Sequence, residues 1–320
     1  MVIQFLRTWG RPQYMHGNLE RANRMKINNA FLKDWIKELR LFQWIKNVLI
    51  FVPLVTSHKF FDIDTLRLTV AAFFLFSLCA SSIYVINDVL DCESDRRHLT
   101  KCKRPIAAGR IGVRTATKVA LFILLTTFTL CGLIFPKIFP VLLSYTALAL
   151  SYSLFLKRFV ILDVVMLAIF YIFRIIVGGI SAEINLSIWL LGFSTFFFLS
   201  LAFSKRYSEI SLADSKDVDV NSRRGYKKED LQVLLILGIG AGFSSLTVFM
   251  IYLNDTTTQL LYSNAERLFF LVPIFIYWIA INWIEVGRHE AGDDPVSDLI
   301  QDKKMLILLP VVILIFVFAI

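Results

Sequence analysis

Apolar residues gather into runs bounded by charge or by Pro and Gly, near 44–58, 66–88, 116–135, 138–156, 160–181, 187–204, 231–253, 266–285 and 304–320. Most approach the ~20 residues that an α-helix needs to cross a bilayer. None alternates with a period of two, and in lipid each segment must satisfy its own backbone, so the runs read as helices. The pattern predicts an all-α integral membrane protein with nine transmembrane helices. The first run is the shortest and contains Pro53. Ahead of it, Phe31, Trp35, Leu39 and Phe42 recur at helical spacing while Lys33, Lys37 and Arg40 take other angles, which predicts an interfacial helix. Residues 1–28 read as a basic, loosely ordered tail, and 29–320 as one transmembrane domain.

Composition agrees: 57% of residues are hydrophobic and 18% charged, against roughly 45–50% apolar in soluble domains. The net charge of +9 could mean nucleic acid or an anionic membrane surface, and its placement decides. Of the Lys and Arg residues, 29 fall in residues 1–46 or in the loops 88–118, 157–158, 205–230 and 285–304, four (Lys59, Arg67, Lys137, Arg267) on the other side, and Arg174 deep in a run. The positive-inside bias places the N-terminus and the loops 88–118 and 205–230 in the cytoplasm, in a cytoplasmic (inner) membrane, with no nucleic-acid partner. Residues 1–30 lack an apolar core, so no cleavable signal peptide is expected. Cys79, Cys92, Cys102 and Cys131 lack paired close spacing and read as free thiols. His16, His58, His98 and His289 are too scattered for a triad or ligand set.

The strongest chemical signal is Asn87-Asp88-Val89-Leu90-Asp91-Cys92-Glu93-Ser94-Asp95, at the cytoplasmic end of the second run. On a continuous helix, Asn87, Asp91 and Asp95 stack at i, i+4 and i+8 with Asp88 alongside. Carboxylates so stacked repel unless a cation sits among them, and an oxygen-only set suits Mg²⁺, which binds through few carboxylates plus a substrate phosphate. Downstream, Lys101 and Arg104 lie in a cationic loop that would take the remaining charge of a diphosphate. Asp294, Asp298 and Asp302 form a second acidic stripe that reads as a helix start, given Pro295.

Asn87-Asp88-x-x-Asp91-x-x-x-Asp95 followed by Arg104-Pro105 resembles the first aspartate-rich motif of the UbiA-type intramembrane prenyltransferases. The resemblance implies a nine-helix bundle with a cytoplasm-facing active site that holds a Mg²⁺-diphosphate substrate. Typical aromatic prenyltransferases carry a second Asp-x-x-x-Asp motif between spans six and seven. Here Lys205-Arg206-x-x-Glu209 stands in that loop, followed by Asp214, Asp217 and Asp219 without that spacing. Together with Gln43-Trp44-x-Lys46-Asn47, Tyr152-Ser153-x-x-x-Lys157, Leu162-Asp163-Val164 and Tyr171-x-x-Arg174, it resembles the decaprenyl-phosphate phosphoribosyltransferase branch. His98-Leu99 and Cys102-Lys103 depart from that pattern. The resemblance implies transfer of 5-phosphoribose from phosphoribosyl diphosphate to a polyprenyl phosphate, with Mg²⁺ or Mn²⁺, for cell-envelope glycan precursors. It implies metal ligands Asn87, Asp88, Asp91 and Asp95, a catalytic role for Asp88, Asp91 and Asp95 in stabilising leaving-group charge, and substrate contacts at Gln43, Lys46, Asn47, Lys101, Arg104, Tyr152, Lys157, Tyr171, Arg174, Lys205, Arg206 and Glu209. Homo-oligomerisation stays open.

Charge bookkeeping points the same way. Phosphoribosyl diphosphate and a polyprenyl phosphate each bring a phosphate that an allylic diphosphate lacks, and Lys46, Lys157, Lys205 and Arg206 would shift that pocket wall towards anions. Lys46 and Lys157 also suit simple snorkelling anchors. Arg174, deep in a run, is a functional hypothesis by default; it would line the central cavity with Tyr171, or be satisfied by helix carbonyls. Asp163 stands three turns away, too far to pair with it. Two rivals are an aromatic prenyltransferase of the quinone or haem pathways, using a prenyl diphosphate, and a transporter. The missing second acidic motif argues against the first, and the lack of repeated halves against the second.

Overall fold

Apolar side chains in lipid leave the backbone only its own carbonyls as partners, and the computed structural model is accordingly helical, with no strand among the described residues. It describes residues 31–97, 100–213, 225–289 and 303–320. The tail 1–28, His16, His98-Leu99, Asp214, Asp217, Asp219 and the stripe Asp294, Asp298 and Asp302 lie outside the described residues.

In chain order, α1 (Phe31–Glu38) leads into a 3₁₀ segment (Leu41–Phe51) and α2 (Val52–Thr56). Then come α3 (Ile63–Leu90), α4 (Cys92–Arg96), α5 (Val113–Ile134), α6 (Phe139–Leu154), α7 (Leu162–Ser181) and α8 (Ile188–Ala213). The last are α9 (Leu231–Leu253), α10 (Thr256–Leu261), α11 (Leu271–Gly287) and α12 (Lys303–Ala319). Among the described residues, six helical stretches are long and apolar enough to cross a membrane: Ile63–Leu90, Val113–Ile134, Leu162–Ser181, Ile188–Leu212, Lys228–Leu253 and Ala265–Gly287. A seventh is added if Phe31–Glu38 and Leu41–Thr56, bent by 40°, form one span. Phe139–Leu154 and Ile307–Ala319 are apolar but shorter.

The first apolar run departs from the expected single α-helix. It is 3₁₀ over Leu41–Phe51, far longer than the usual 3–4 residues, and becomes α-helical only where Pro53 enters the first turn of α2. Tertiary contact holds it so: a Cβ at Gly178 of α7 would stand 2.0 Å from the Ile50 carbonyl oxygen, so only glycine admits this approach. The predicted interfacial helix is also shorter than its apolar repeat. It ends at Glu38, and Arg40 takes φ 51° at the bend before the 3₁₀ segment.

The chain divides into two compact units, the first from the described parts of Met1–Phe42 and Tyr84–Ala120, the second from Gln43–Ile83 and Leu121–Ile320. In the first, Val85, Cys92, Ile106, Ile111, Ala116 and Ala120 form a core onto which Trp35 and Leu39 of the N-terminal segment pack. In the second, α7, α8, α9 and α11 supply a larger core that includes Val164, Ile175, Phe198, Phe203, Leu234 and Trp283. The most extensive helix pairing in it is α8 with α9.

Candidate active site

In the first unit, α3 stops at Leu90 and α4 begins at Cys92, yet the spacing of the acidic run survives the break. The Asp91 amide donates to the Asn87 carbonyl (2.9 Å) and the Asp95 amide to that of Asp91 (2.8 Å). Asp88 and Asp95 are buried, and Asn87 and Asp91 half-buried. Both buried carboxylates are held by arginine. Arg40 donates through Nη2 to both Asp88 oxygens, at 2.7 and 2.9 Å, and lies 4.9 Å over the Tyr84 ring. Arg104 donates through Nη1 to Asp88 (2.8 Å) and Asp95 (2.6 Å). Its loop is braced by Arg96 on the Ala107 carbonyl and by Arg110 on Asp34. Lys101 is half-buried in the 3₁₀ turn just before it. Beside this cluster Glu38 is only 1% exposed. Burial, and next the charge of Asp88, push its carboxyl up to about 7 against the opposing pull of Arg40, the Ile106 backbone amide and Arg104. Sequence reasoning missed Arg40 and Glu38, because nothing local signals a contact with residues some fifty positions downstream.

In the second unit, the basic and polar residues form two networks. Arg174 is buried; its Nε donates to Asn47 Oδ1 (2.8 Å), its Nη1 to the Phe170 carbonyl, and its guanidinium lies 5.1 and 5.4 Å over the Phe76 and Tyr171 rings. Asn47 in turn donates to Ser77 (2.8 Å), and Trp44 to Ser81 (3.0 Å), which fixes the segment bearing Gln43 and the buried Lys46. The carbonyl that the sequence offered as an alternative partner for Arg174 is therefore one of two it uses.

The second network joins α7, α8 and the start of the α9 segment. Arg206 of α8, 1% exposed, pairs with Asp163 of α7 at 2.5 Å and with Glu209 one turn on. Tyr226 donates its hydroxyl proton to Asp163 (2.5 Å), and its oxygen accepts the Ile161 amide (2.8 Å). Ile161 adopts φ 67°, a costly conformation for a β-branched residue, and the Tyr226 bond helps to hold it. Burial, with Asp163 adding, pushes the Tyr226 hydroxyl up. Lys205, Lys157 and Tyr152 are half-buried, the last edge-on to Phe170. Asp163 and Tyr226 were not among the expected site residues, and Arg206 has two carboxylate partners where a phosphate contact was expected.

The model of the UbiA prenyltransferase family matches residues 48–300. The chain belongs to this family. Its relatives include y4nM of Sinorhizobium fredii, 36% identical over 85% of this chain and 53% of that protein. The decaprenyl-phosphate phosphoribosyltransferase of Mycobacterium tuberculosis is 36% identical over 56% of this chain and 61% of that enzyme. The chain thus spans between half and two thirds of the length of these curated relatives. In fold it is similar to a UbiA homolog from Archaeoglobus fulgidus solved bound to GPP and Mg²⁺, with a TM-score of 0.64 at 16% identity, covering 89% of this chain and 98% of that one.

A UbiA-family chain raises the question of whether the acidic run suits a divalent cation. Among the described residues no three His, Cys, Asp or Glu side chains stand together as a ready metal cage. The donors are nevertheless all oxygen, and Glu38 adds a carboxyl with both oxygens buried and unpartnered. Few carboxylates with room for a substrate phosphate is the coordination Mg²⁺ prefers. The residues fit.

Proposed function

We propose that this UbiA-family transferase is a nine-span membrane phosphoribosyltransferase that moves 5-phosphoribose from phosphoribosyl diphosphate to a polyprenyl phosphate. The observation that carries this reading is the mixed-sign cluster of Asp88 and Asp95 with Arg40 and Arg104, which offers partners to a cation and a polyphosphate alike. Similarity to the mycobacterial enzyme supports the choice of donor and acceptor. Asn87, Asp88, Asp91 and Asp95 would hold Mg²⁺ or Mn²⁺, which when bound neutralises charge on the diphosphate. As donor phosphates arrive, Arg40 and Arg104 exchange carboxylate for phosphate oxygens, keeping charge-assisted bonds throughout. Lys101 adds positive charge beside them. Lys46, Lys157 and Lys205 are assigned to phosphate binding, and Gln43, Tyr152 and Tyr171 to contacts with the substrates. The networks of Asn47 with Arg174, and of Arg206 with Glu209, position those residues.

The acceptor phosphate is already ionised at neutral pH, so no strong base is required. One of its oxygens attacks C1 of the ribose; the bond from C1 to the diphosphate oxygen breaks, and its electron pair leaves with diphosphate. The protein's contribution is to orient both phosphates and to compensate charge on the leaving group. The product is a polyprenyl-phosphate phosphoribose suited to cell-envelope glycan synthesis.

With the N-terminus cytoplasmic in the inner membrane, a reading the 29-to-4 charge bias supports, the acidic run would open to soluble donor. Single cysteines placed in the loop 88–118, in a background lacking native cysteines, should resist labelling from outside intact cells. The decisive assay supplies purified protein in detergent with Mg²⁺, labelled phosphoribosyl diphosphate and a polyprenyl phosphate. Labelled lipid is expected. Its absence, with prenylation of 4-hydroxybenzoate from a prenyl diphosphate, overturns the reading in favour of an aromatic prenyltransferase.

A further inference from the structure

Buried polar oxygens in folded proteins nearly always have partners, and an exception calls for a reason. Glu38, the last residue of α1, is such an exception. It is 1% exposed; no side chain donates to either carboxyl oxygen, and the Ile106 backbone amide beside it forms no hydrogen bond of good geometry. Cations are not lacking around it: Arg40 and Arg104 are close enough to act on its carboxyl electrostatically, as is Asp88. Their guanidinium groups are committed elsewhere, Arg40 to both oxygens of Asp88 and Arg104 to Asp88 and Asp95. Within the first unit, three buried carboxyls therefore share two guanidinium groups, and the unserved one sits beside the most heavily served.

That arrangement is uneconomical for a structure meant to stay as it is. A glutamine or leucine would fill the space without an orphaned acid. It makes sense if the ion balance changes in use. Once donor phosphates draw the two guanidinium groups away, the carboxyls need positive charge from another source, and a divalent cation supplies it. Two carboxyls close together are then an asset, because a dication relieves their mutual repulsion.

We propose that Glu38 is a further cation-holding carboxylate of the diphosphate site, acting with Asp88 and delivered by the helix that precedes the first apolar run. The proposal rests on the functional reading above and adds to the acidic run a residue outside its motif.

The test measures Mn²⁺ binding to the full chain in detergent, by the electron paramagnetic resonance signal of free Mn²⁺, alone and with inorganic pyrophosphate. Thermal unfolding is recorded alongside. Glu38→Gln keeps the volume and removes the charge; it should weaken Mn²⁺ binding by about ten- to hundred-fold while unfolding no earlier than wild type. Asp95→Asn serves as reference for the motif itself. Wild-type Mn²⁺ affinity in Glu38→Gln, with binding lost in Asp95→Asn, overturns the role of Glu38 and leaves the functional reading standing. Failure of the wild-type protein to bind Mn²⁺ even with pyrophosphate overturns both. Should Glu38→Gln not purify folded, Glu38→Asp carries the same test, since it keeps the charge but falls one methylene short. Weakened binding at unchanged thermal stability supports the proposal, and wild-type binding overturns it.

Discussion

Asp88 in the first unit and Asp163 in the second are both buried carboxylates held by arginine, but their partners differ in access to water. The Arg40 and Arg104 side chains are 17% and 26% exposed, whereas that of Arg206 is 1% exposed. A partly hydrated guanidinium can trade a carboxylate for a phosphate because water and the incoming anion share the cost of the exchange. A fully buried one cannot, since leaving would strand an uncompensated charge in a low-dielectric interior. The same ion pair is thus partly hydrated in one unit, as the proposed exchange requires, and a buried strut in the other. The strut ties α7, α8 and the chain leading into α9, and Glu209 and Tyr226 add to it.

Six substitutions, in four tests, would break or sharpen this contrast. The largest effect belongs to Asp95→Asn, which should abolish labelled-lipid formation without lowering the unfolding temperature, since Arg104 keeps Asp88. A wild-type rate would show that the first cluster is not the reacting one. Next, Arg206→Met should cost roughly 3–5 kcal/mol of stability by leaving Asp163 charged and buried, seen as early unfolding in detergent. Adding Asp163→Leu should recover much of the loss, and a mild effect of Arg206→Met alone would erase the distinction between the clusters. Arg104→Ala and Lys205→Ala come third. Each should weaken donor or acceptor binding by about ten- to hundred-fold, the roughly 1.5–3 kcal/mol of one charge-assisted contact; Lys205→Ala should change stability little, whereas Arg104→Ala should also lower it by leaving buried Asp95 without its guanidinium. Titration of each substrate against initial rate would check this, and a pure stability defect would reassign the residue to the strut. The smallest effect is that of Tyr226→Phe, which removes one hydroxyl and should cost about 1 kcal/mol in thermal unfolding. A larger loss would mean that this hydroxyl also holds the strained Ile161 turn.

Legibility in the sequence differed between the two clusters for a physical reason. Asp88, Asp91, Asp95 and Arg104 lie within seventeen residues, and helical spacing alone puts the acids on one side, so the first cluster could be read directly. The break at Asp91 did not matter, because the i, i+4 backbone bonds persist through it. Arg40 joins from 48 residues away, and no local rule forecasts such a partner. Arg206 was legible as a charge but not as a committed one. Its partners Asp163 and Tyr226 come from other segments, so it read as a free phosphate contact. Arg174 stood out as an intramembrane charge, and only packing showed that Asn47 and a carbonyl satisfy it.

The sequence by itself determined the class of molecule: helical and embedded in lipid, with Lys and Arg spread unevenly between its apolar runs and an acidic run at helical spacing. These properties follow from hydrophobicity, charge asymmetry and helical period, each a sum over neighbouring residues. Tertiary structure decided which charges remain available. It committed Arg206 to Asp163, clamped the Asn47 segment through Arg174 and Gly178, and left Glu38 without a partner beside Asp88. A pairing depends on distance in space and on water excluded by distant segments, and neither quantity is written in any stretch of chain.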